Sequence, residues 1–307
     1  MAASWVTWAA GFFTAQWESL GIKPFPAQSP LTIAKSPQYP KRMAQAHSHK
    51  PRIHYVMEGP DKAPVLMFSH SLASSTVMWE PQAKHFDRSF RVLRFDTRGH
   101  GKSDAPEGPY TFQLLADDVL ALLDSLEIEK VHFVGLSMGG MIGQELALRH
   151  PDRLLSLTLS DTSARTPEEA AKVWEQRIEQ VKREGLKPLL EGTMERWFTD
   201  AFRKSRSPLY EAIEQQFLHT PIAGYIGCVQ AIMKLNNLDR LSSIHTPTLI
   251  LVGEEDPGTP VSVAEEIHKR ISGSRFAIIP QARHLPNVEQ AERWNRELET
   301  FLSSLTF

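Results

Sequence analysis

Gly135-Leu136-Ser137-Met138-Gly139 sets a serine between two glycines, and the surrounding run VHFVGLSMGGMIGQELALRHP passes from a short apolar stretch into helical periodicity. A G-x-S-x-G sequence between a strand and a helix is the pattern of a serine on a sharp, strained turn with its hydroxyl exposed. Small residues two positions to either side leave that turn room, and Gly135 and Gly139 supply it. The N-terminus of the following helix offers unpaired N–H groups and a positive dipole end, which suit an oxyanion forming beside the serine. The Met138 N–H is the expected donor there, and the chemistry indicated is acyl transfer.

A serine hydroxyl is a poor nucleophile and needs a base within hydrogen-bond reach, itself oriented by a carboxylate. This kind of turn goes with the chain order serine, acid, histidine. LILVGEEDPGTP places Asp256 just past a strand end, and IIPQARHLPNVEQ places His284 between the last strand and the last helix. Among the 12 histidines, His132 falls inside a strand, while His150, His219 and His268 lie in or at the ends of helices, where packing or capping accounts for them. His47 and His49 stand in a proline-rich segment and make only a weak metal pair. Only His284 combines a loop beyond a strand end with a position downstream of a loop carboxylate. Glu254, Glu255 and Asp161 are rivals for the acid, and Asp256 is the expected one. A second oxyanion donor is expected from the loop MFSHSLASS, at the Leu72 N–H.

Elements must hold these groups together. RIHYV, PVLMFS, RVLRFD, VHFVG and LLSLTLS read as strands. TFQLLADDVLALLDSL keeps a helical period in Leu114, Leu115, Val119, Leu122, Leu123 and Leu126 after a Thr111 cap. Alternating strands and helices predict an α/β fold with a mostly parallel central sheet flanked by helices and functional groups at the carboxyl ends of its strands. From Thr166 to about Leu238 only helices are predicted. Three starts carry a cap-then-proline signature, Thr166-Pro167, Ser207-Pro208 and Thr220-Pro221, the first with Glu169 at the capping-box position and Gly185 as its stop. Strand signals resume at PTLILVG and RFAIIP, and a closing helix is expected over about Val288 to Leu302. The predicted organisation is an N-terminal extension over residues 1–50, a core over 51–161 and 241–307, and an inserted helical cap over 162–240.

RFDTRGHGKSD ends like a phosphate-binding loop at Gly101-Lys102-Ser103, but the required upstream glycine is Asp96, so a turn is the better reading. The chain has 307 residues, 34 basic against 36 acidic, and a formal charge of −2. No basic patch indicates nucleic acid. The one cysteine, Cys228, rules out an internal disulfide and any cysteine-rich metal site, and suits a cytoplasmic location. MAASWVTWAAGFFTAQW is apolar but has no basic n-region and no run of about 20 apolar residues, so neither a signal peptide nor a spanning helix is expected. Trp5, Trp8 and Phe12 have helical spacing and predict a short amphipathic helix that meets the protein's own body, a partner subunit in a homo-oligomer, or a surface.

Taken together, HSLASSTVMWEPQ, FDTRGHGKSDAPEGPYT, DDVLALLDSL, FVGLSMGGMIGQELALRHPDRL, RWFTDAF and HLPNVEQ resemble the α/β-hydrolase fold enzymes, and among them the 3-oxoadipate enol-lactonases of aromatic-compound breakdown, over roughly Arg52 to Leu302. The resemblance implies an α/β-hydrolase fold, with Ser137 as nucleophile, Asp256 as acid and His284 as base, acting on a small lactone or ester with no metal or organic cofactor. The lactonases usually read N-S-L-G where this chain has His70-Ser71-Leu72-Ala73. Haloalkane dehalogenases are excluded, since they need an aspartate at Ser137. The cap would roof the pocket, with Trp197 and Phe198 as walls. An enol-lactone acetate group would need a cation, which Arg196, Arg203 or Lys234 could supply. A broader esterase or lactonase, a carbon–carbon bond hydrolase, and a non-catalytic ligand binder on the same fold are the competing readings.

Overall fold

The computed structural model describes residues 42–46 and 51–305. Over the first half of the chain the elements are β1 (Arg42–Ala46), β2 (Ile53–Glu58), β3 (Val65–Ser69), α1 (Glu80–Phe86), β4 (Arg91–Phe95), α2 (Phe112–Ser125), β5 (Val131–Leu136), α3 (Met138–Arg149) and β6 (Leu154–Ser160). Successive helices follow: α4 (Glu168–Glu184), α5 (Leu190–Trp197), α6 (Asp200–Ser205), α7 (Pro208–Leu218) and α8 (Ile222–Met233). The chain then returns through β7 (Thr248–Gly253), α9 (Val261–Arg270), β8 (Arg275–Ile279), α10 (Pro286–Glu289) and α11 (Ala291–Ser303).

Among the described residues the strands form an eight-stranded sheet in the order β1-β2-β4-β3-β5-β6-β7-β8. β2 runs antiparallel to both of its neighbours, and every pairing from β4 to β8 is parallel. All residues of β3, β5 and β7 are buried. Helices α2, α3 and α9 cover one face and α1 and α11 the other, which is why these strands read as continuous apolar runs rather than alternating ones.

Several sequence expectations are corrected. β1 lies within the N-terminal extension over residues 1–50, where no strand is expected; Arg-Met-Ala-Gln-Ala carries little period-2 signal, and its place comes from the backbone ladder with β2. The Thr111 hydroxyl accepts the Leu114 N–H at 3.1 Å, and Ser207 caps α7 through the Tyr210 N–H at 3.2 Å. Thr166 and Thr220 do not cap. Pro167 and Pro221 occupy the cap positions of α4 and α8. Thr166 instead donates its N–H to Leu235 O at 3.0 Å and its hydroxyl to Ile232 O at 2.5 Å, so Glu169 has no free N–H to reach back to. The Thr220 hydroxyl bonds Gln216 O at 3.1 Å. The closing helix is two, α10 and α11, separated at Gln290. The amphipathic helix expected around Trp5, Trp8 and Phe12, and the His47 and His49 pair, lie outside the described residues.

The inserted helices and the sheet belong to one compact unit. Helix α8 meets the segment between β4 and α2 backbone to backbone: a Cβ on Gly224 would stand 2.0 Å from Gly99 O, and one on Gly227 2.8 Å from the Tyr110 ring. Helix α4 rests on α8 and buries only Ile178 and Val181.

Candidate active site

Ser137 sits between β5 and α3 with φ 56° and ψ −116°, a left-handed conformation costly for a residue with a Cβ. The turn is held from both sides: the Ser137 N–H donates to Ser160 O at 2.9 Å, and its carbonyl accepts the Thr162 hydroxyl at 2.7 Å. Both flanking glycines are required by contact. A Cβ on Gly135 would lie 2.2 Å from Gly139 O, and one on Gly139 2.1 Å from Ser69 O.

His284 lies in the loop between β8 and α10, and its Nδ1 is 2.7 Å from Asp256 Oδ2 in the loop after β7. Asp256 also accepts the Gly258 N–H at 2.8 Å, the Thr259 N–H at 3.2 Å and the Thr259 hydroxyl at 2.6 Å. Burial opposes its ionisation, yet His284 and these donors hold its carboxyl below the usual carboxylate range. With Nδ1–H committed to a carboxylate, Nε2 of the imidazole is left as the acceptor. The His284 loop is fastened to the helical insertion: the Leu285 N–H donates to Trp197 O at 3.1 Å, Arg283 Nη1 donates to Glu195 O at 2.6 Å, and Glu289 accepts the N–H groups of Arg283 at 3.0 Å and Thr199 at 2.7 Å.

Of the rival acids, Glu254 and Glu255 are exposed. Asp161 is buried at the end of β6, where it accepts the Gly253 N–H at 2.8 Å and the Ser160 hydroxyl at 2.7 Å. Burial, and then the charge of Asp256, push its carboxyl well above the usual range. Asp161, Asp256 and His284 bring potential ligand atoms within 4.8 Å of one another. Two ligands of a tetrahedral zinc at roughly 2.0–2.2 Å stand about 3.4 Å apart, so the 2.7 Å Nδ1–Oδ2 separation fits a hydrogen bond and not a shared ion.

Leu72 lies in the loop after β3, and Met138 opens α3. Two imidazoles that sequence reasoning missed brace the Leu72 loop. His70 Nδ1 is 2.7 Å from Ser71 O while its Nε2 accepts the Thr97 N–H at 2.9 Å. His100 Nε2 accepts the Ala73 N–H at 2.9 Å. Burial lowers their pKa values to about 4 and about 3, the nearby His70 adding to the effect on His100, so both are neutral acceptors near pH 7. The signal was in RFDTRGHGKSD: Asp96, which ruled out a phosphate loop, accepts the Thr76 and Lys102 N–H groups at 2.8 and 2.9 Å and shapes the turn that presents His100.

Ser137, His284, Asp256 and Leu72 line a cavity of about 330 Å³ roofed by the helical insertion. Trp197 and Phe217 form part of its wall, their rings 6.0 Å apart and edge to face. Phe198 does not line it. Its ring is wholly buried against Phe202 and Tyr210, because at the end of α5 successive side chains point to different sides. Of the cations named as clamps, Arg196 faces the cavity. Arg203 is instead paired with Asp200 at 2.9 Å, and Lys234 lines a separate small pocket beside Tyr110 and Glu145. Arg165 and Arg177, which sequence reasoning passed over, also line the cavity.

A parallel sheet with a serine on a strand–helix turn, and an acid–histidine pair at the ends of later strands, defines an α/β hydrolase architecture. The α/β hydrolase fold family is matched over residues 64–291, and the chain belongs to it. It is 37% identical over 249 residues to 3-oxoadipate enol-lactonase 1 of Acinetobacter baylyi, a match covering 81% of this chain and 92% of the relative. The enol-lactonase from Burkholderia xenovorans LB400 superposes with a TM-score of 0.81 at 35% identity, over 85% of this chain and all (100%) of the other. A hydrolase from Pseudomonas aeruginosa PA01 gives 0.81 at 36% identity, over 85% and 98%. Among the described residues no helix is long and apolar enough to cross a membrane.

Proposed function

We propose that the protein is a serine hydrolase that opens a small lactone, 3-oxoadipate enol-lactone or a close relative, through an acyl-enzyme. The observation that carries this reading is the 2.7 Å His284–Asp256 hydrogen bond at a cavity that Ser137 also lines. The likeness to enol-lactonases supports the substrate class.

His284 Nε2 takes the proton of Ser137 as Oγ attacks the lactone carbonyl, and Asp256 stabilises the imidazolium. The N–H groups of Leu72 and Met138 hold the oxyanion, a donor of this kind being worth about 2.7–4 kcal/mol of barrier. The lactone C–O bond then breaks. Its oxygen leaves as an enolate, with charge delocalised onto carbon, and His284 returns the proton. The leaving group stays tethered to the acyl chain. Water, deprotonated by His284, attacks the acyl carbon, Ser137 is released with its proton restored, and the product is an open-chain keto acid. Such a step belongs to aromatic-compound catabolism.

The test is turnover of enol-lactone generated in situ beside p-nitrophenyl acetate. The wild type should prefer the lactone, and Ser137→Ala should lose roughly 10⁶-fold in kcat, the scale seen when a serine nucleophile is removed. Cleavage of the simple ester alone would make the enzyme a broader esterase or lactonase, and turnover of neither would reject the enol-lactone reading and reopen the substrate class.

A further inference from the structure

His284 is fastened on both sides, and both fastenings end on the same short corner of the insertion. After it, the Leu285 N–H donates to Trp197 O at 3.1 Å. Before it, the Arg283 N–H donates to Glu289 Oε2 at 3.0 Å, and Oε1 of the same carboxylate accepts the Thr199 N–H at 2.7 Å and the Thr199 hydroxyl. Glu289 ends α10, so its side chain reaches back over its own loop to the residue preceding the base, and across to Thr199, the cap of α6. Arg283 adds its guanidinium, whose Nη1 donates to Glu195 O at 2.6 Å and Phe198 O at 3.3 Å. These carbonyls stand at the C-terminal end of α5, where a cation suits the free acceptors and the negative end of the helix.

Glu289 is half-buried, and burial pushes its carboxyl above the usual range against the pull of its three donors and of the Arg283 charge. Only a carboxylate satisfies this position. It accepts at both oxygens, whereas an amide of the same shape accepts at one end and donates at the other. The loop that Glu289 closes has little other backing, since it runs from β8, an edge strand, into the four-residue α10. A displacement of about 1 Å at a catalytic group costs on the order of a hundredfold in rate. We infer that Glu289 is a positioning residue for the general base: it locks the Arg283–Leu285 backbone to the Trp197–Thr199 corner, so that His284 and the Trp197 wall of the cavity keep one fixed relation. The inference rests on the acyl-transfer reading above for its effect on rate, though not for its effect on the His284–Asp256 hydrogen bond.

Glu289→Gln keeps the shape of the side chain, but whichever way its amide faces, either the Arg283 N–H or the Thr199 donors meet an NH2 group. His284 acts in both formation and breakdown of the acyl-enzyme. Turnover of p-nitrophenyl acetate (kcat) and the rate at which a phosphonate labels Ser137 should therefore both fall roughly ten- to a hundredfold, while KM stays within about twofold. The second readout is proton NMR. The proton on His284 Nδ1, deshielded by its hydrogen bond to Asp256, should give a downfield resonance that Asp256→Asn removes and that Glu289→Gln shifts or broadens. A carboxylate with a merely structural role would lower the melting temperature and leave both that resonance and kcat below the melt unchanged, and this result overturns the inference. So does a rise in KM with kcat unchanged. Thr199→Val attacks the same clasp from the insertion and serves if Glu289→Gln does not fold. It should reduce kcat less, because the Thr199 N–H remains, and the double variant should be within about twofold of Glu289→Gln alone. Losses that multiply mean that the two residues act separately, and also overturn the clasp. If the wild type neither turns over nor labels, the acyl-transfer reading fails and the resonance decides alone: moved by Glu289→Gln, the clasp stands, and unmoved, it falls.

Discussion

Asp161 and Asp256 are two buried carboxyls close to one histidine, and their surroundings push them opposite ways. Asp256 is held ionised by His284, Thr259 and Gly258, whereas Asp161 has no cation and faces the charge of Asp256. Asp256→Asn should cost about 10⁴-fold in kcat by leaving His284 in the wrong tautomer, as in serine proteases. Asp161→Asn keeps the shape of a protonated acid and should stay within about tenfold. A loss as large as that of Asp256→Asn would move the acid to position 161. The sign of the stability effect follows from the raised folded pKa: the folded carboxyl keeps its proton where the unfolded chain has released it, so that contribution is present at low pH and lost as pH rises. Asp161→Asn removes the loss, and its urea midpoint relative to the wild type should climb as pH rises above the ordinary carboxylate range. At this scale Ser137, Asp256 and His284 were legible because each combines a reactive type with a loop beyond a strand. His70, His100 and Arg177 were not. A histidine that accepts a backbone N–H has no local signature, and the direction of an arginine on a helix depends on what the helix packs against.

At the level of elements, the sheet could be read from its apolar runs because burial on both faces leaves little room for polar residues in β3, β5 and β7. The cap threonines misled because a hydroxyl beside a proline can serve any nearby carbonyl, and for Thr166 a carbonyl of α8 won. The docking of α8 was invisible in sequence, yet it rests on two glycines. Gly224→Ala would drive a methyl to 2.0 Å from Gly99 O. The helix must then move outward, with an expected cost of about 1–3 kcal/mol for overpacking. A thermal melt checks the stability, and kcat/KM should fall with it, because Tyr225 and Ile232 of the same helix line the cavity. An unchanged melting temperature would show that the close approach is softer than these contacts imply.

For the whole molecule, the imidazoles of His70, His100 and His132 are buried, and burial lowers their pKa values to about 4, 3 and 4. An unfolded chain binds protons at such groups near pH 6.5, while the folded one stays neutral until far lower. Their stabilisation is therefore complete above about pH 6.5 and is lost as pH falls towards 4, at up to about 1.4 kcal/mol per pH unit for each group. Urea midpoints should drop steeply over that window, and His132→Phe should flatten the slope by one imidazole; a flat wild-type profile would count against it. The hydrogen bonds that tie Leu285, Arg283 and Glu289 to the insertion have a different consequence. The histidine loop takes its position from chain inserted about ninety residues earlier, so a protease cut or brief heating that loosens α5 should disarm the enzyme while the sheet stays intact. Inactivation then runs ahead of denaturation, and a preparation can look native by circular dichroism after its turnover has gone.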